Sequence, residues 1–236
     1  MKKYILNSKT GRAGRTLLGK LTHSVTNLYI RNLRRHRIKR HVLISGTGRA
    51  GTTFLVQLFT ELGLDTGFNL KINKADEISN AGLEWDLRLS NAPYIVKSPW
   101  VSDYLDTVLG KGSIHIEHLI VPIRNLYDAA ESRRDVMPRA GIVKMDEKDY
   151  PGGLFGTREP EKQEQMLLER FFKLFWIAAK NDIPVTLLDF PRIVQDPEYL
   201  RQKLIPIFGS LQLEKKRFDD AFLLVSKPEL VHKFKY

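Results

Sequence analysis

The 236-residue chain is 42% hydrophobic and 28% charged, which excludes a disordered or low-complexity protein and suits one folded domain with a sizeable core. It has no cysteine; this excludes disulfides and thiolate zinc sites and makes a reducing cytoplasm the expected setting. The net charge of +11 is uneven: residues 1–40 hold twelve Lys or Arg and no Asp or Glu, and the remainder is close to neutral.

Residues 1–40 read as a basic, partly helical N-terminal extension. Within 15–33, Leu17, Leu18, Leu21, Val25, Leu28 and Leu33 recur near helical spacing. Such a segment either packs on the domain as a solvated basic helix or contacts a polyanion or an anionic membrane surface. Its acid-free composition also suits an organelle transit peptide, although no cleavage site is visible. There is no apolar run of about 18 residues and no apolar core of a secretory signal. A cytoplasmic protein is therefore expected, with peripheral membrane contact at most.

From residue 41 to 236, apolar runs alternate with helical patterns. The expected strands are 41–45 (HVLIS), 94–97 (YIVK), 116–123 (IEHLIVPI) and 185–190 (VTLLDF), with 65–70 as a candidate edge strand. Helices are expected over 51–62, 101–109, from 126 onward, and over 161–180, where Asn181 and Pro184 stop the last one. Residues 150–157 (YPGGLFGT) read as a surface turn, or as a cover for a substrate. The alternation predicts a single α/β domain with about five parallel strands flanked by helices. Ligands of such sheets sit at the carboxyl ends of the strands.

The first strand ends in Gly46, Thr47, Gly48, Arg49, Ala50 and Gly51, followed by Thr52 and Thr53 at the start of a helix. Glycines let backbone N–H groups point at an anion, and the helix adds its positive N-terminal end. Loops that hydrolyse ATP or GTP read GxxxxGK[ST]. Here Thr52 stands where that lysine belongs, and the charge is Arg49, inside the loop. A tight turn without a ligand is the simpler alternative. At the end of the third strand, Arg124-Asn125-Leu126-Tyr127-Asp128 leads into a helix, with Ser132 eight residues after Arg124. At about 3.6 residues per turn, a strand-end Arg and this Ser can converge on a second anion.

The two motifs, GTGRAGTT and RNxxDxxxS, in this order and on these elements, resemble those of the PAPS-dependent sulfotransferases; the resemblance covers about residues 41–225. It implies a P-loop-like sulfotransferase fold and transfer of a sulfuryl group from 3′-phosphoadenosine 5′-phosphosulfate (PAPS) to a hydroxyl or amine, releasing 3′,5′-ADP (PAP). Residues 46–53 would bind the 5′-phosphosulfate, with Arg49 at the transferring group, as in the bacterial and protein-tyrosine branches. Arg124 and Ser132 would bind the 3′-phosphate, and Asp128 would serve at the helix start. Phe54 matches an adenine-stacking aromatic or is a core residue. Lys97 matches a lysine facing the sulfuryl group or is a solvated strand end. Pro99 replaces the catalytic His of the cytosolic branch, so the general base would be a carboxylate between the first helix and the next core strand. Glu84 is the first choice, Glu77 and Asp86 are alternatives, and His115 lies at the wrong end of its strand. The late RKG element is missing, with Lys227 as a substitute.

No metal is expected, because the cations are side chains and the six His show no HExxH-type spacing. The acceptor class stays open among carbohydrate, lipid, small alcohol and peptide tyrosine. Two alternatives stand beside this one. Asp189, at the end of a strand, could mimic a magnesium-binding Asp in an atypical P-loop kinase or NTPase. The basic N-terminus could instead make the chain a polyanion-binding module, with no motif for a specific nucleic acid.

Overall fold

The computed structural model describes residues 38–141 and 150–234; the helix predicted over 15–33 lies outside the described residues. The strands are β1 (Lys39–Ile44), β2 (Ile95–Lys97), β3 (Ile114–Ile123) and β4 (Val185–Asp189), in the order β2-β1-β3-β4. β1 pairs parallel with β2, setting Ile44 opposite Lys97, and β3 pairs parallel with β4, setting Ile123 opposite Asp189. Lys39 and Arg40, assigned by charge to the extension, already belong to β1, and Arg40 pairs with Glu117 of β3.

Parallel neighbours need long crossovers, which the helices supply. These are α1 (Thr52–Glu61), α2 (Leu105–Leu109), α3 (Leu126–Arg134), α4 (Val136–Arg139), α5 (Gln163–Lys180), α6 (Pro197–Phe208) and α7 (Lys215–Val225). Side chains alternate between the two faces of a strand. Val42 and Ile44 enter a core layer with α1, α6 and α7, whereas Leu43 enters another with α2 and α5. Both faces are thereby covered, which is why the inner stretches Val42–Ile44 and Leu119–Ile123 are continuously apolar. Among the described residues no helix is long and apolar enough to cross a membrane.

Three expectations need correction. The sheet has four strands among the described residues, not about five, because 65–70 is not extended. Asp65 meets β2 at one point, accepting from the Ile95 and Tyr94 amides at 2.8 and 2.9 Å, and Gly67 (φ +70°) then turns the chain away. The helix over 101–109 is broken: a 3-10 turn (Val101–Asp103) precedes α2, with Tyr104 at φ −133° between them. Residues 152–155 are buried rather than a surface turn, because the Gln163 amide clamps both the N–H and the carbonyl of Phe155, at 2.7 and 3.1 Å.

Phe59 is fully buried, edge-on to Phe208 at 5.1 Å. Phe59→Ala should lower the unfolding free energy in urea by about 3–5 kcal/mol. Leu223→Ala, at a side chain 77% exposed, should stay within about 0.5 kcal/mol of the parent.

Candidate functional site

β2 and β3 lie on opposite sides of β1, so the loops that follow β1 and β3 border a crevice at the carboxyl edge of the sheet. An open cleft lies there, lined among others by Arg49, Thr52, Glu84, Lys97, Arg124 and Ser132.

The loop after β1 shapes its floor. Gly51 caps α1 with φ +82° and no side chain bonds the helix end, so the N-terminus of this ten-residue helix faces the cleft at Thr52 and Thr53. Free N–H groups and the helix dipole favour an anion there. Arg49 is a non-glycine residue at φ +53°, a conformation that costs energy and recurs at ligand sites. It aims the guanidinium across the cleft: Nε donates to Ser132 Oγ at 3.1 Å and Nη1 to the Ser79 carbonyl. Gly46, Thr47 and Ala50 are not brought to the cleft wall; Thr47 and Ala50 are buried behind it.

Arg124 leaves the end of β3, and Asn125 caps α3 by accepting from the Asp128 amide at 3.2 Å. Arg124 donates through Nη1 to the Arg49 carbonyl at 3.0 Å and through Nη2 to the His232 carbonyl, and it stacks over Phe190 at 5.3 Å. Burial pushes its pKa below the ordinary arginine value. Ser132, two turns up α3, is 3% exposed. Arg49, Arg124 and Ser132, far apart in sequence, therefore form one hydrogen-bonded cluster. Asp128 accepts from the Phe234 amide at 3.0 Å and so fixes the segment that passes over Arg124.

Lys97 reaches the other side of the loop from the end of β2. Its ammonium, in a side chain 4% exposed, donates to Thr53 Oγ1 at 2.9 Å, the Gly82 carbonyl at 2.6 Å and Glu84 Oε1 at 2.9 Å. It is not a solvated strand end. Of the three carboxylates named from the sequence, Glu84 alone lines the cleft. Asp86 is engaged by Arg88, whose hydrogen bonds hold its carboxyl below the ordinary range, and Glu77 is exposed outside the cleft. His115 is exposed near the start of β3, at the opposite end of the strand from Arg124. Lys227 lines the cleft rim.

Phe54 is both a core residue and a lining residue of the cleft. It packs edge-on against Phe222 at 5.7 Å in the core, and it also contributes to the cleft lining near Phe190, Val225 and Val231. Asp189 is exposed and does not line the cleft. Among the described residues no three His, Cys, Asp or Glu side chains stand together as a metal site.

The sequence did not single out Arg133, and it read 152–155 only as part of a surface turn or a substrate cover. Asp76 accepts from the Ser79 amide at 2.7 Å and from Tyr150 at 3.3 Å, which fastens the loop at 75–82 to the start of the wall. Burial raises the Asp76 pKa, but bonds from Ser79 and Tyr150 outweigh it and hold the carboxyl below its ordinary value. A helical projection carries a signal for Arg133: it falls on the same face of α3 as the fully buried Ala129 and Ala130.

Lys97 and Glu84 should be energetically coupled. Lys97→Met alone strands the Glu84 carboxylate and should cost about 3 kcal/mol. Combined with Glu84→Gln, the loss should fall short of the sum of the single losses by about 1–3 kcal/mol in a urea-denaturation double-mutant cycle. In comparisons with known proteins, no family model, no curated protein and no solved structure matches the chain.

Proposed function

We propose that the chain is a PAPS-dependent sulfotransferase with a P-loop-like sulfotransferase fold, acting on a hydroxyl or amine acceptor in the cytoplasm. The observation that carries this reading is the meeting of two separate motifs: Arg124 bonds the carbonyl of Arg49, and Ser132 accepts from its guanidinium, beside the open N-terminus of α1. Two anion-binding groups of donors thus share one cleft. An apolar end with Phe54, Phe190, Val225 and Val231 adjoins them and suits a nucleobase. The cleft residues fit a donor bearing a 5′-phosphosulfate and a 3′-phosphate.

The donor supplies an activated sulfuryl group. The α1 amides, Thr52 and Thr53 hold the 5′-phosphosulfate end, and Arg49 and Lys97 offset charge that develops during transfer. Arg124 and Ser132 hold the 3′-phosphate. Glu84 takes the proton of the acceptor. The small side chains of Ala75, Asn80 and Ala81 at the Glu84 end of the cleft border the acceptor's approach. The acceptor class is open among carbohydrate, lipid, small alcohol and peptide tyrosine, and residues 1–40 are a candidate contact for an anionic surface.

A thermal-shift titration tests the donor site. Saturation at about 100 times the dissociation constant adds roughly 2.7 kcal/mol of stability. 3′,5′-ADP should stabilise the protein, 5′-AMP and Mg-ATP should do so less, and Arg124→Ala should lose the effect. Stabilisation by Mg-ATP alone would instead point to a kinase or NTPase. In turnover assays Arg49→Ala should lose about 10²–10³-fold. Glu84→Gln should lose transfer while keeping 3′,5′-ADP binding; retained turnover would remove Glu84 as the base.

A further inference from the structure

Arg133 is among the largest fully buried side chains of the described residues, at 1% exposure. A guanidinium keeps its charge when it loses water, so burial is tolerated only where its donors are satisfied. Here they are satisfied by two separate segments. Nε and Nη2 donate to the Thr47 carbonyl of the glycine loop at 3.3 and 2.8 Å, and Nη1 donates to the Gly153 carbonyl of the wall at 2.7 Å. The face of the guanidinium lies over Phe155 at 4.9 Å. The fit is tight at the loop: a Cβ on Gly48, whose φ is +65°, would stand 2.4 Å from Arg133 Nη2.

The wall has anchors of its own. Gln163 of α5 holds the backbone of Phe155, and Arg170 of α5 stacks on the same ring at 4.6 Å. Arg133 extends that anchorage to the glycine loop. A planar fork reaches two carbonyls on different segments through separate, rigidly spaced nitrogens, whereas a lysine in its place offers a single nitrogen to which both carbonyls would have to come.

We propose that Arg133 is a positioning residue that ties the glycine loop at 46–51 to the wall at 152–155, holding the loop in its anion-binding geometry. The proposal rests on the sulfotransferase reading only for the identity of the anion. Its consequence is that occupancy of the loop and order in the wall are linked.

The test is hydrogen exchange followed by mass spectrometry on the full chain without nucleotide, so its outcome stands whether or not 3′,5′-ADP binds. Arg133→Lys should speed exchange about ten-fold in peptides covering both 45–52 and 151–156, a change of about 1.4 kcal/mol in opening free energy. Arg170→Ala, which touches Phe155 but not the glycine loop, should speed exchange in 151–156 alone. Unchanged exchange over 45–52 in Arg133→Lys overturns the proposal, and so does an identical pattern in the two variants. Arg133→Lys keeps the charge and the aliphatic stem, so it should fold where Arg133→Met fails. As a ligand readout, Arg133→Lys should weaken 3′,5′-ADP at least about ten-fold and leave adenosine, which lacks phosphates, unchanged. Equal weakening of both would make Arg133 a general structural residue and overturn its positioning role.

Discussion

The chain departs from β1 in both directions across the sheet, and every residue of the cleft depends on that reversal. β2 lies on one side of β1 and β3 on the other, so the loops that follow β1 and β3 diverge and border a crevice. The glycine loop enters it from β1, Arg124 from β3 and Lys97 from β2, the last through the register that sets Lys97 beside Ile44. None of these residues is a sequence neighbour of the others. Topology brings them together, and local turn chemistry only aims them.

The way the cations are held matters for what the cleft can bind. Arg124 donates to the backbone carbonyls of Arg49 and His232. A carbonyl satisfies a guanidinium donor without cancelling its full charge, whereas a carboxylate would do both. Lys97 is different. Its bond to Glu84 makes a pair of no net charge. Burial lowers the pKa of Arg124 below the ordinary arginine value.

Much of this was legible in the sequence where local rules decide. The four strands are short aliphatic runs bounded by polar residues, and the glycine loop and the Arg124–Ser132 spacing announce themselves on elements of the right type. The failures have a common cause in distant partners. Residues 150–157 look like a surface turn because they are rich in glycine and proline, and the burial of 152–155 depends on Gln163 and Arg133. The edge strand at 65–70 has suitable apolar residues, yet Gly67 adopts a left-handed conformation with the Trp85 ring against it. Arg133 and Arg134 are indistinguishable as letters. A rotation of about 100° per residue separates them, sending Arg134 to Glu164 on α5 and Arg133 into the loop.

The segment passing over Arg124 has a thermodynamic consequence. The guanidinium already holds the carbonyl of His232, and Asp128 secures the same segment through the Phe234 amide. If an anion binds at Arg124 as proposed, it must exchange with the main chain before it gains the full contact. Its measured affinity is the intrinsic one scaled by the fraction of molecules in which the segment has let go. Substitutions at 232–234 that never touch a ligand can therefore tighten or weaken binding by changing that fraction alone.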